Sequence, residues 1–166
     1  SSASLENQDE EGRRSMTAAE SMGAGTRPKA PMHLWIVGVL ALLWNLVGCF
    51  DYLATQLKLE PYMSNFTPEQ LEYFYGFPTW TVAAWATGVW IALVGTVGLL
   101  MRRKWSFVAY VVSLAGLAIS SIYTLFLTNG LEIMGSTASV MTVVIWVISI
   151  FLIWYSKQQA KAGVLT

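Results

Sequence analysis

Residues His33–Gln56 read HLWIVGVLALLWNLVGCFDYLATQ. From Leu34 to Leu53 the run is apolar except for Asn45 and the Asp51–Tyr52 pair. A helix of roughly 20 residues rises ~30 Å, the thickness of a bilayer's hydrocarbon core. Three more runs of similar length follow, at about 80–101, 105–127 and 137–155. A soluble bundle needs a charged stripe on each helix, and these runs have none. The pattern predicts an all-α, polytopic membrane protein with four transmembrane helices in a compact bundle spanning residues 31–157.

Composition agrees. The chain of 166 residues is 55% hydrophobic and 12% charged, with eight tryptophans. Soluble domains carry about twice that charge. The formal net charge is zero, so nothing points to nucleic acid as a partner. The single cysteine, Cys49, excludes an internal disulfide and a cysteine-based zinc site. Residues 1–30 are polar and rich in Ser, Gly and Ala. They are expected to form a disordered tail, because they bury too little apolar surface to fold alone. Met16 is a candidate start, with residues 1–15 then an upstream extension. The first apolar run lacks a following small-residue cleavage site, so it reads as a span and not as a signal peptide.

Charge sets an expected orientation. Arg13, Arg14, Arg27, Lys29, Arg102, Arg103, Lys104, Lys157 and Lys161, nine of the ten basic residues, fall on one side of the spans. Lys58 falls on the other, with Glu60, Glu69, Glu72 and Glu132. The positive-inside rule then places both termini, including the tail 158–166, in the cytoplasm of a cell whose inner membrane holds the protein. Trp35, Trp80, Trp105, Trp154 and Tyr155 lie at span ends, as interfacial anchors do.

The first outer loop carries TPEQLEYFYG, residues 67–76. Thr67 suits an N-cap, Pro68 the first helical position, and Gln70 the third residue of a capping box. Gly76 ends the turn. Leu71, Phe74 and Tyr75 share one face, which predicts a short amphipathic helix on the membrane surface or over the bundle mouth.

Each span carries a stripe of small or hydroxylated residues that favours close packing in lipid. The stripes are Gly38, Ala41, Asn45, Gly48 and Tyr52; Ala84, Gly88, Ala92 and Thr96; Ala109, Ser113, Gly116, Ser120 and Thr124; and Ser139, Thr142, Trp146 and Ser149. Asn45 lies ~17 Å along the first span, near the midplane. Two readings stay open for it: a hydrogen bond to Ser113, Ser120 or a backbone carbonyl, or contact with a ligand. Asp51 lies ~25 Å in and about 120° around the helix from Asn45, so the two do not share a face. Asp51 reads as an interfacial anchor, with Lys58 as a partner if the helix runs on, or as a proton or cation group. The polar positions singled out are therefore Asn45, Asp51, Tyr52, Ser113, Ser120, Tyr123 and Trp146. His33, the only histidine, is expected to be solvated at a span end. No catalytic constellation, metal motif or phosphate loop is visible, so neither an enzyme nor a cofactor is expected.

HLWIVGVLALLWNLVGCFDYLATQ, YMSNFTPEQLEYFYGFPTW and LVGTVGLLMRRKW resemble a family of short four-span proteins common in alphaproteobacteria. The resemblance runs from about Pro31 to Lys161 and centres on Trp44, Asn45, Gly48, Asp51 and Tyr52. Members often carry a sugar-transporter label. The resemblance thus implies transport of a small, sugar-like solute. One bundle has little room for a hexose, so carriage would need an oligomer. The competing reading is a non-catalytic accessory or scaffold subunit. A carrier would hold a hydrated polar cavity at mid-membrane, whereas an accessory subunit would be dry inside.

Overall fold

A computed structural model describes residues 2–23 and 28–166; Ser1 and residues 24–27, Arg27 of the basic count among them, lie outside the described residues. The chain is all-helical among the described residues: α1 (Ser2–Gly23), α2 (Met32–Gln56), α3 (Glu60–Met63), α4 (Pro68–Tyr75), α5 (Thr79–Leu100), α6 (Trp105–Ile122) and α7 (Gly130–Lys161). The segments Met32–Gln56, Thr79–Leu100, Trp105–Leu127 and Gly130–Lys161 are long and apolar enough to cross a membrane. The protein is a multi-pass membrane protein built on a four-helix bundle.

The expected disorder of residues 1–30 needs correction. Ser2–Gly23 is helical, with every residue exposed. Its sequence is rich in the helix formers Ala, Glu, Met and Arg. Glu10 and Arg14 stand 4.0 Å apart across one turn, a pairing that gives modest support to an exposed helix.

Pro31 and Pro78 start α2 and α5 from extended conformations, since proline's missing N–H costs nothing at a helix start. The capping box before α4 is formed in full. Thr67 Oγ1 accepts from the Gln70 amide at 3.3 Å, and Gln70 Oε1 accepts from the Thr67 amide at 3.1 Å. The inward face of α4 differs from the expected one: Leu71, Tyr73 and Phe74 are half-buried, while Tyr75 is exposed. The four-residue helix α3, with Pro61 in its first turn, has no counterpart in the sequence reading. At the far end of the third span the backbone widens into a π-helical turn, Tyr123–Leu127. α7 contains a break at Gly135, whose φ of 83° and ψ of −174° are non-helical.

α5 and α6 form the closest pair, and α2 packs on α5. The α5–α6 contact depends on Gly116: a Cβ there would lie 2.7 Å from the Ala84 carbonyl oxygen and 2.9 Å from the Gly88 nitrogen. α7 packs on α6 and α4, and near its basic end Tyr155 meets His33 of α2. Its Ser139, Thr142 and Ser149 hydroxyls donate to carbonyls one turn back in their own helix. The expected fourth stripe therefore makes no hydrogen bond to another helix through these hydroxyls. In lipid there is no hydrophobic drive between helices, and an i−4 carbonyl satisfies a hydroxyl without a neighbour.

The main apolar core sits at the basic end, around Leu34, Ala41, Leu99, Tyr110, Leu152, Tyr155, Val164 and Leu165. Residues 158–166 are therefore not a loose tail. α7 continues to Lys161, and Gly163, at φ 76°, turns the chain back. The Gly163 amide donates to Ala160 O at 3.2 Å and the Val164 amide to Gln159 O at 3.0 Å, the bond pair of a Schellman cap. Leu165 is then fully buried. The Thr166 amide donates to Arg102 O at 2.9 Å and the Lys104 amide to Thr166 O at 3.2 Å, pairing this strap with the α5–α6 turn.

Candidate functional site

Polar side chains gather at three levels of the bundle. The first level, near the middle of the spans, joins three side chains from three helices by hydrogen bonds. Asn45 Nδ2 donates to Thr96 Oγ1 at 2.7 Å. Thr96 Oγ1 lies 2.7 Å from Tyr110 Oη and 3.0 Å from Ala92 O. A hydroxyl has one proton and two lone pairs. Thr96 can therefore accept from Asn45 and Tyr110 while donating to Ala92 O, which uses its whole capacity. The three residues are 8%, 0% and 3% exposed. They come from α2, α5 and α6, so one hydroxyl fixes the register of three spans. The Asn45 partner is thus Thr96, in place of the expected Ser113, Ser120 or backbone carbonyl. Ser113 instead donates to Gly88 O at 2.6 Å, a second α5–α6 link. Ser120 turns inward on its own helix and donates to Leu117 O at 3.0 Å.

The second level lies toward the acidic end. Asp51 Oδ1 accepts a short hydrogen bond from the Tyr62 hydroxyl. Lys58, the partner expected from sequence, sits elsewhere, with its ammonium 4.5 Å from the Tyr75 ring centre. The reason is local: α2 stops at Gln56, and Lys58 adopts φ 52° in the turn that follows. That turn carries Lys58 away and brings Tyr62 of α3 onto the carboxylate. Burial, and then the hydrogen bond and charge of Asp51, raise the Tyr62 phenol above its ordinary pKa. Tyr62 therefore stays a proton donor through the physiological range.

The third level is an aromatic layer under α4. Tyr123 stacks at 6.3 Å on Tyr73 and meets Phe77 and Trp80 edge-on at 5.4 and 5.6 Å. Tyr52 meets Trp85 edge-on at 5.0 Å, and Phe77 joins the two groups through Trp85 at 6.2 Å. Tyr73 Oη and Thr128 Oγ1 are hydrogen-bonded at 2.9 Å, and Gln70 Nε2 donates to Ile133 O at 3.2 Å. α4 thus ties the loop between α2 and α5 to the third and fourth spans. Trp146 Nε1 donates to Ser121 Oγ at 3.3 Å, an α7–α6 link.

The seven positions singled out from sequence therefore do not converge on one site. Asn45 and Ser113 lock helices, Asp51 holds a loop helix, Tyr52 and Tyr123 belong to the aromatic layer, Trp146 anchors α7, and Ser120 bonds its own backbone. The sequence offers Tyr110 beside Asn45 as a group able to hydrogen-bond a sugar and places Thr96 on the α5 stripe, but it does not identify Thr96 as the partner of both. Tyr62 carried no signal beyond its being a tyrosine in an outer loop. His33 is exposed, as expected of a span-end histidine, yet its Nδ1 shares a hydrogen bond of 2.6 Å with Tyr155 Oη.

Two open grooves mark the sides of the bundle. One, of 390 Å³, lies between α2 and α7 and is lined by Trp44, Ser136, Thr137, Val140, Met141 and Val144. The other, of 420 Å³, runs along α5 and α6 past Trp80, Thr87, Val112 and Ile119. Among the described residues, no three of His, Cys, Asp and Glu gather as metal ligands would. No protein family, curated protein or solved structure matches this chain.

Proposed function

We propose that this protein is a non-catalytic accessory or scaffold subunit of the inner membrane, with both termini in the cytoplasm and its partner another membrane protein. The observation that carries this reading is the Asn45–Thr96–Tyr110 network. At the midplane, where a carrier presents unpaired polar groups to solute and water, these three groups bind one another and are buried. Buried polar groups that satisfy each other specify helix register. A solute would have to break two interhelical hydrogen bonds to use them.

The sugar-carrier reading has one observation in its favour. The α2–α7 groove combines an indole, Trp44, with the hydroxyls of Ser136 and Thr137. It opens sideways, so a path through it would need a second protomer as its other wall.

Water access separates the two. Thr96→Cys and Tyr110→Cys, in a Cys49→Ala background, are probed with a membrane-impermeant maleimide in sealed vesicles of each orientation. The accessory reading expects neither position to react. Rapid labelling from either side, suppressed by a sugar, would establish a carrier.

A further inference from the structure

We propose that the basic end of the bundle binds anionic lipid headgroups through Arg103, Lys104, Lys157 and Lys161, next to the exposed indoles of Trp35, Trp105 and Trp154 at the same span ends. The hydrogen bonds of the strap bring these residues to one end. Thr166 pairs with the backbone of Arg102 and Lys104. The Arg102 guanidinium donates to Val164 O at 3.0 Å and also to Pro28 O. Arg102 therefore holds the frame and is not offered as a ligand.

The other cations of this end, Lys29, Arg103, Lys104, Lys157 and Lys161, are exposed. The Glu10–Arg14 ion pair lies in α1, away from these five cations. Between residues 28 and 166 the side-chain carboxylates are Asp51, Glu60, Glu69, Glu72 and Glu132, none of which belongs to a segment meeting here. Lys58, at the other end, rests on the Tyr75 ring. Among residues 28–166, this end thus carries five exposed cations, Lys29, Arg103, Lys104, Lys157 and Lys161, and no side-chain carboxylate.

The choice of a lipid over another anion rests on depth. Trp35, Trp105 and Trp154 are 45%, 44% and 56% exposed. Lys104 and Trp105 are adjacent, and Trp154 precedes Lys157 by three residues. Indoles favour the glycerol and carbonyl level of a bilayer, so the ammonium and guanidinium groups just beyond them stand at the phosphate level, where each basic residue gains from an anionic leaflet. α1 carries Glu6, Asp9, Glu10, Glu11 and Glu20, but none of its residues is buried, so it does not cover this surface. The inference holds whether the bundle is a scaffold or a carrier.

The test is lipid titration of the detergent-solubilised full chain, read by native mass spectrometry, with phosphatidylglycerol and phosphatidylcholine of identical acyl chains. Wild type is expected to bind phosphatidylglycerol more tightly. Each cation removed should weaken that preference about 5-fold, the equivalent of ~1 kcal/mol. R103Q/K104Q/K157Q/K161Q should abolish it, while K58Q should leave it unchanged. All substituted side chains are exposed, and circular dichroism confirms the fold of each variant. Equal binding of the two lipids by wild type would overturn the proposal. So would an unchanged preference in the quadruple variant, or an equal loss in K58Q. If inorganic phosphate displaces the lipid as well as excess phosphatidylglycerol does, the surface is a free-anion site. If E6Q/E10Q/E11Q creates a preference absent from wild type, its occupant is α1; either result rejects the lipid assignment.

Discussion

Replacing Thr96 with valine removes one hydroxyl and nothing else of comparable size from the bundle. That hydroxyl takes part in three bonds, to Asn45, Tyr110 and Ala92 O. The Ala92 bond lies within α5, so its loss has little effect on how helices associate. The other two link α5 to α2 and to α6. Interhelical hydrogen bonds in membranes average ~0.6 kcal/mol and reach ~1.7, so Thr96→Val should cost ~1.2–3.4 kcal/mol. Thr96→Ser keeps the hydroxyl and should recover most of that. Asn45→Leu breaks one bond and should cost ~0.6–2 kcal/mol. The cycle of Asn45→Leu, Thr96→Val and the double variant should be non-additive by ~0.6–1.7 kcal/mol, because the second change finds the shared bond already gone. Reversible unfolding in bicelles, or steric trapping in the same bicelles, measures each term. If Thr96→Val lies within ~0.5 kcal/mol of wild type, or the cycle is additive, the network does not hold the helices and the argument for a locked interior fails.

Other variants test other joints of the fold. Gly116→Ala should destabilise by ~1–3 kcal/mol through overpacking, since its Cβ would press on the α5 backbone at 2.7 Å, whereas Gly48→Ala meets only Val89 Cγ1 at 3.7 Å and should be neutral. Leu165→Ala should cost ~2–5 kcal/mol as a buried truncation; a loose tail would show no change in the same unfolding assay. The Tyr62 pKa is raised in the folded state above its ordinary 10.0. Its contribution is therefore complete below pH 10 and declines as pH rises through the folded value. The stability advantage of wild type over Tyr62→Phe should accordingly be flat from pH 7 to about 10 and shrink above it, which thermal scans against pH will show. In a Cys49→Ala background, Ser64→Cys should label from outside intact cells and Lys161→Cys only after permeabilisation; the reverse pattern would invert the topology.

The spans were legible because the bilayer imposes one length and one composition on them. The four helices of the structure cover the four apolar runs, and the α4 cap follows the Thr67–Gln70 pattern residue by residue. The ends were less legible. Nothing in periodicity says that a short segment such as KAGVLT, with only Val164 and Leu165 as large apolar residues, folds back, because its burial depends on a pocket made by Leu34 and Leu99 from elsewhere in the chain. The stripes were half legible. Small residues at helical spacing mark the α5–α6 contact correctly, but a hydroxyl on such a stripe can bond a neighbour, as Ser113 does, or its own backbone, as Ser120 does. Sequence spacing is the same in both cases. The partner choices of Asn45 and Asp51 were hidden for a related reason: they depend on rotation between helices and on a turn conformation at Lys58.

Asn45 and Asp51 sit six residues apart in one apolar helix, and an intramembrane polar residue is by default a functional hypothesis. Their surroundings separate two kinds of use. Asn45 is met by Thr96, itself filled by Tyr110 and Ala92 O. Asp51 is met by one phenol whose helix, α3, belongs to the outer loop. Movement of a solute through the bundle would have to disengage α2 from α5 at the first of these points. Movement of α3 would have to release the second, and movement of α4 the Tyr73–Thr128 and Gln70–Ile133 bonds. The aromatic layer has the same asymmetry. Tyr52, Trp85, Phe77 and Tyr123 interlock across spans, and α4 is attached above them by Tyr73–Thr128 and Gln70–Ile133. The side-chain hydrogen bonds that join α2, α5 and α6 thus lie at the middle of the spans, whereas α7 is tied mainly at its two ends, by Gln70–Ile133 at one and by His33–Tyr155 and the C-terminal strap at the other. Under the proposed reading, a centre joined by buried hydrogen bonds and flanked by an open α2–α7 groove suits a protein that presents a face to a partner better than one that opens a path through its middle.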